Sequence, residues 1–149
     1  MVHLQRTDSS HPDFIALIRL LDLDLAGRDG KDTAFYSRYN KIAAIKHAIV
    51  AYYNGDAVAS GAIREYQPGV MEVKRMFTVP DLRGKGLASK VLAELEGWAK
   101  ELGYTKLILE TGKRNTEAVS LYLAKGYQVT PNYEPYVGVD NSVCFVKLL

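Results

Sequence analysis

Apolar positions along the chain mark its elements before composition is considered. Val2 to Arg6 is compatible with a short strand. From Pro12 to Ala26, Phe14, Ile15, Leu17, Ile18, Leu21 and Leu25 recur near helical spacing, which predicts a helix ending between Gly27 and Gly30. Asp32 or Thr33 can cap a second short helix carrying Phe35, Tyr36 and Tyr39. The pattern then changes. His47 to Tyr53 is apolar and β-rich, Asn54-Gly55 is a strong hairpin signal, and Ala57 to Tyr66 is the returning strand. Gln67-Pro68-Gly69 makes a second turn before a strand over Val70 to Val79, completing an antiparallel meander.

After a loop from Pro80 to Gly86, Leu87, Val91, Leu95, Trp98 and Leu102 form one apolar stripe of a long helix that Gly103 ends. Lys106 to Glu110 is a strand. Strand, helix and strand make a right-handed crossover, so the two flanking strands are expected to be parallel. A last helix spans Thr116 to Lys125, and the tail from Tyr127 to Leu149 holds two strands separated by the loop Pro131 to Ser142. The expected fold is mixed α/β: a mostly antiparallel sheet of about six to seven strands with helices on both faces and a central parallel pair.

Composition narrows the class. The chain has 149 residues, 48% hydrophobic and 24% charged, which are globular proportions for a single domain over residues 1–149. Nineteen basic against 17 acidic residues give a net charge of +2, without the basic excess expected of a nucleic-acid protein. No apolar run reaches the roughly 20 residues a membrane helix needs, and Met1 to Ser10 is too polar for a signal peptide. One cysteine, Cys144, excludes an internal disulfide and reads as a buried small hydrophobe. His3, His11 and His47 lack metal-ligand spacing, so no metal is expected. A cytoplasmic location fits this composition.

The informative segment is Arg83-Gly84-Lys85-Gly86-Leu87-Ala88, between a strand and a helix. A helix N-terminus carries unpaired N–H groups and partial positive charge. Two glycines let the backbone approach an anion closely, and Arg83 and Lys85 add full charges. Such a turn suits a phosphate or diphosphate. It is not a Walker loop, which needs Gly-x-x-x-x-Gly-Lys-Ser/Thr. Nor is it a dinucleotide fingerprint, because Ser89 stands at the third glycine position and an antiparallel meander precedes it.

This segment resembles the Arg/Gln-x-x-Gly-x-Gly/Ala motif of the GNAT family of N-acetyltransferases. A second motif of that family follows as Asn115-x-x-Ala118-x-x-Leu121-Tyr122-x-x-x-Gly126-Tyr127, and the order of elements agrees along essentially the whole chain. Thr78 stands where an apolar residue is more usual. The resemblance implies acetyl-CoA as co-substrate. Backbone groups of Met76, Phe77 and Thr78 would meet the pantetheine arm, and the amides from Gly84 through Lys85, Gly86, Leu87 and Ala88 to Ser89 would take the diphosphate. Lys85, Lys113 or Arg114 would reach the ribose phosphate, and Asn115 would add a coenzyme contact beside its role as a helix cap.

By the same resemblance Tyr122 is the general acid. A tyrosine of ordinary pKa near 10 can protonate a thiolate whose ordinary value is about 8.5. Glu72, four residues before Met76, is the candidate general base, with a water chain as the other route. Period-two alternation would put Glu72, Lys74, Met76 and Thr78 on one face of the strand and Val73, Arg75 and Phe77 on the other. Tyr66, Tyr133 and Tyr136 are candidates for the wall of the acceptor pocket, and Glu134 for attracting a cationic amine. The implied function is transfer of acetyl to a primary amine in a ternary complex; the competing class is a non-catalytic coenzyme A-binding sensor. The acceptor would be a small-molecule or peptide amine, and a homodimer is open.

Overall fold

The computed structural model describes residues 1–29 and 45–149, so the second short helix expected near Phe35 lies outside the described residues. The elements follow in the order β1 (Val2–Thr7), α1 (Pro12–Asp29), β2 (His47–Tyr53), β3 (Asp56–Gln67), β4 (Val70–Thr78), a 3₁₀ turn (Pro80–Leu82), α2 (Leu87–Glu101), β5 (Lys106–Gly112), α3 (Thr116–Ala124), β6 (Gln128–Thr130) and β7 (Ser142–Leu148). The seven strands form one sheet in the order β1-β2-β3-β4-β5-β7-β6. Every pairing is antiparallel except β4 with β5, as the strand–helix–strand crossover requires.

The sheet is covered on both sides, and β2 shows how. Its residues alternate between two clusters: Ala48 and Val50 pack with Phe14, Leu17, Ile18 and Leu21 of α1. Ile49 and Ala51 pack with Val91, Leu92 and Leu95 of α2. A strand buried on both faces reads as a continuous apolar run, which is what His47–Tyr53 shows. The α2 stripe is so close to the sheet that a Cβ at Gly61 of β3 would lie 2.6 Å from Met76 Sδ, 2.7 Å from Val91 and 2.9 Å from Leu95. Only glycine permits that approach.

Helix α1 runs past Ala26 through Gly27 to Asp29, so its end falls between Gly27 and Gly30 as expected; glycine lowers helix propensity without forbidding it. One feature departs from the sequence expectation. Strand β4 is not regular. Ala62 of β3 pairs with Lys74 but Ser60 pairs with Phe77, so β4 carries one extra residue there. Arg75 sits in that bulge with φ +61°, a conformation that costs a non-glycine residue about 1–2 kcal/mol. The bulge reverses the alternation. Met71 and Val73 face the α2 side and Met76 also approaches α2, whereas Arg75 reaches Asp22 of α1 and Phe77 packs with the α1 cluster. The expected face shared by Glu72, Lys74, Met76 and Thr78 is therefore broken at Arg75.

Among the described residues no helix is long and apolar enough to cross a membrane.

Candidate active site

Strands β4 and β5 pair only from Val70 with Lys106 to Glu72 with Ile108. Beyond that point they separate, and a cleft of about 940 Å³ opens between them. Met76, Phe77 and Thr78 line one wall, Glu110 to Gly112 the other, and Gly84, Gly86, Leu87, Ala88 and Ser89 close one end. Asn115 and Tyr122 of α3 complete the lining. The unpaired edge of β4 from Val73 to Thr78 is thus open to an extended ligand that can exchange backbone-like hydrogen bonds.

The turn before α2 is built to leave donors free. Gly86 is the N-cap residue at φ +81°, with no side-chain cap hydrogen bond. Among the described residues, no backbone N–H from Gly84 to Ser89 donates to a protein acceptor; Arg83 N–H bonds to Pro80 and Lys90 N–H to Gly86 on either side. Unpaired N–H groups at a helix start, opening on a cleft, make an anion cradle. Its cations differ from expectation. Arg83 is not a free charge: its Nε donates to the Thr78 carbonyl at 2.9 Å, its Nη2 lies 3.4 Å from Asp24, and its guanidinium stands 5.7 Å from the centre of the Phe77 ring. It ties the turn to β4 and to α1. Lys85 is exposed and does not line the cleft.

Tyr122 is 5% exposed, packed edge-on against Tyr127 and tilted against Phe145, yet it lines the cleft. Burial raises its pKa well above 10, and the nearby Glu110 carboxylate raises it further. The phenol therefore stays protonated at neutral pH. Asn115 caps α3 by accepting from Ala118 N–H at 3.3 Å, and it lines the same cleft.

Glu72 stands at the other end of the cleft. Its side chain is 3% exposed. Its carboxylate accepts from Tyr133 Oη at 2.8 Å and Arg64 Nε at 3.4 Å, with Lys74 Nζ 3.9 Å away. It lines the cleft with Lys74, Arg75 and Tyr136. Burial depresses the pKa of Lys74, against the pull of Glu72.

Of the three candidate pocket tyrosines only Tyr136 reaches the cleft. Tyr133 stands behind it, with ring centres 5.6 Å apart, and Tyr66 behind Tyr133 at 5.1 Å. Glu134 is exposed and supplies only its carbonyl, to Tyr66 Oη. Cys144 is fully buried against Tyr136, and burial pushes its thiol up to about 11, which leaves it a poor nucleophile.

Glu110 and Arg75 are among the lining residues that no motif points to. Glu110 lies in β5, two residues before its end, and accepts from Ser142 Oγ at 2.6 Å. Arg75 is turned into the cleft by the bulge, which no periodicity in the sequence announces.

A mixed sheet splayed at its parallel pair, with an open anion cradle beside the gap, is the architecture of a coenzyme A-dependent acyltransferase fold. The chain belongs to the acetyltransferase (GNAT) family, whose pattern it matches over residues 15–127. It is 35% identical over 100 residues to an IAA acetyltransferase of Azospirillum brasilense, covering 66% of this chain and 65% of that protein. Over 82 residues it is 33% identical to the N-acetyltransferase YjgM of Escherichia coli, itself uncharacterised, covering 53% of this chain and 49% of that one. The chain thus spans about half to two thirds of the length of these curated relatives. A solved Klebsiella pneumoniae structure described as an acyl-CoA N-acyltransferase superposes with a TM-score of 0.82 at 32% identity, covering 100% of this chain and 98% of that one. The fold is shared at 17% identity and TM-score 0.72 with yncA of Salmonella typhimurium, solved with its cofactor acetyl-CoA, over 100% of this chain and 94% of that one.

Proposed function

We propose that the protein is an acetyl-CoA-dependent N-acetyltransferase that moves acetyl directly to a primary amine in a ternary complex. The observation that carries this reading is the turn from Gly84 to Ser89, whose amides have no acceptor among the described residues, closing one end of the same cleft that Tyr122 lines. The amides hold the diphosphate of the co-substrate, and the free edge of β4 at Met76, Phe77 and Thr78 pairs with the two amides of its pantetheine arm. That aligns the thioester between β4 and Tyr122.

The roles of the side chains follow from their surroundings. Glu72, buried, holding the Tyr133 and Arg64 donors and with the Lys74 ammonium 3.9 Å away, accepts a proton from the incoming ammonium, directly or through water. The free amine attacks the thioester carbonyl: a C–N bond forms, the C–S bond breaks, and the electron pair leaves on sulfur. Backbone near Phe77 polarises the carbonyl as negative charge gathers on its oxygen. Tyr122 then gives its proton to the thiolate, and the proton shed by the new amide nitrogen passes back to the phenolate through water. Burial makes it a weaker acid than free tyrosine, but the same desolvation raises the basicity of a thiolate in the cleft.

Calorimetry with acetyl-CoA, and thiol release measured against a panel of amines, test the proposal. Binding and amine-dependent thiol release support it. Binding without release for any amine would leave the coenzyme-binding sensor as the better reading.

A further inference from the structure

The acceptor end of the cleft carries charges of both signs on one strand. Glu72 lies at one position, and three residues along is Arg75, a cation the reaction above does not use. Arg75 is 6% exposed, its side chain 3%. A guanidinium offers five N–H donors, but among the described residues this one makes a single hydrogen bond, from Nη1 to Asp22 Oδ1 at 2.9 Å. Its Nε is buried without any partner. Asp22 itself is 57% exposed by side chain, so among the described residues the anion paired with this buried cation is a surface carboxylate from α1. The residue is also held at φ +61°, and strained backbone of this kind concentrates at ligand clamps. Burial depresses the Arg75 pKa, opposed chiefly by Asp22. Lys74, beside it in the cleft wall, adds a second positive charge. Leu21, Leu25 and Phe77 supply apolar lining around them.

We propose that the acceptor is a small amino carboxylate: its amine lies toward Glu72 and its carboxylate is taken by the guanidinium of Arg75. The assignment rests on the acetyltransferase reading above and gives it a substrate class. Arginine is suited to this task because its planar fork matches a carboxylate in two parallel hydrogen bonds. Asp22 occupies one donor of that fork, and the acceptor carboxylate fills donors left unmet among the described residues. Because the amine and carboxylate are read at separate residues of one strand, a plain amine meets only half of the site.

Three matched pairs test the assignment: L-leucine with isopentylamine, γ-aminobutyrate with n-propylamine, and ε-aminocaproate with n-pentylamine. Each amine is its partner without the carboxylate. With kcat/KM expressed per concentration of deprotonated amine, at least one amino carboxylate should exceed its amine by roughly 10- to 100-fold, the range of a charge-assisted pair. Arg75→Gln should erase that preference while acetyl-CoA affinity, measured by calorimetry, stays within about threefold of wild type, the scale of a lost neutral contact. Asp22→Asn guards against misfolding of the first variant. Relieved of a competing anion, Arg75 should then give a several-fold lower KM for the preferred amino carboxylate and an unchanged KM for its amine. A purely structural Arg75–Asp22 pair would move neither ratio. Acetyl-CoA binding with equal turnover of amines and amino carboxylates overturns this proposal alone, as does a preference that survives in folded Arg75→Gln protein. Absence of acetyl-CoA binding overturns the acetyltransferase reading and this proposal with it.

Discussion

Replacing Gly86 by glutamate separates the electrostatics of the cradle from its shape. A Cβ at Gly86 meets nothing within 4 Å, so the branch point itself introduces no clash in either variant. The residue must still hold φ +81°, which costs any L side chain about 1–2 kcal/mol of stability, the same for alanine as for glutamate. What distinguishes glutamate is charge. A carboxylate about 5 Å from one phosphate charge, at an effective dielectric of about 20, is repelled by about 3 kcal/mol. A diphosphate carries more than one such charge, and 1.4 kcal/mol is about tenfold in affinity. Gly86→Glu should therefore weaken coenzyme A at least about 100-fold, while Gly86→Ala stays within about tenfold, set by strain alone. Isothermal calorimetry on both variants, with melting curves to confirm equal folding, makes the comparison. Equal affinities for the two variants would refute the cradle, since only the charge differs near the proposed phosphates.

Tyr122→Phe should lower kcat by about 100- to 10,000-fold with little change in coenzyme affinity, because it removes a proton donor and keeps the buried ring; steady-state kinetics beside calorimetry decides this, and unchanged turnover removes Tyr122 from the chemistry. Glu72→Gln should lose rate most below the pKa of the acceptor amine and recover at higher pH, where the amine arrives deprotonated; a loss that is flat with pH favours the water chain as base. Gly61→Val should destabilise the fold by about 1–3 kcal/mol or more by forcing β3 away from Met76, Val91 and Leu95, seen as a lower thermal midpoint. An unchanged midpoint would mean that α2 adjusts freely.

Local patterns carried the fold far. The Leu87, Val91 and Leu95 stripe is buried as its spacing requires, and Asn54-Gly55 turns β2 into β3 with both residues at positive φ. Gly84 and Gly86, both at positive φ, mark the turn that opens on the cleft. What the sequence hid arises between segments distant along the chain. The contact of Arg83 with Asp24 joins residues far apart along the chain, and no local spacing predicts it. The bulge at Arg75 is invisible to a period-two rule because a single extra residue changes which face follows. Tyr133 finds Glu72 only after the loop before β7 folds back over the sheet, which is why its place behind Tyr136, instead of in the cleft wall, could not be read from the order of residues.

A crystal structure of the protein with coenzyme A addresses the cradle itself. The account requires diphosphate oxygens within about 3 Å of backbone nitrogens between Gly84 and Ser89, with the thiol end near Tyr122. A diphosphate bound elsewhere, with those nitrogens facing only water, would contradict it.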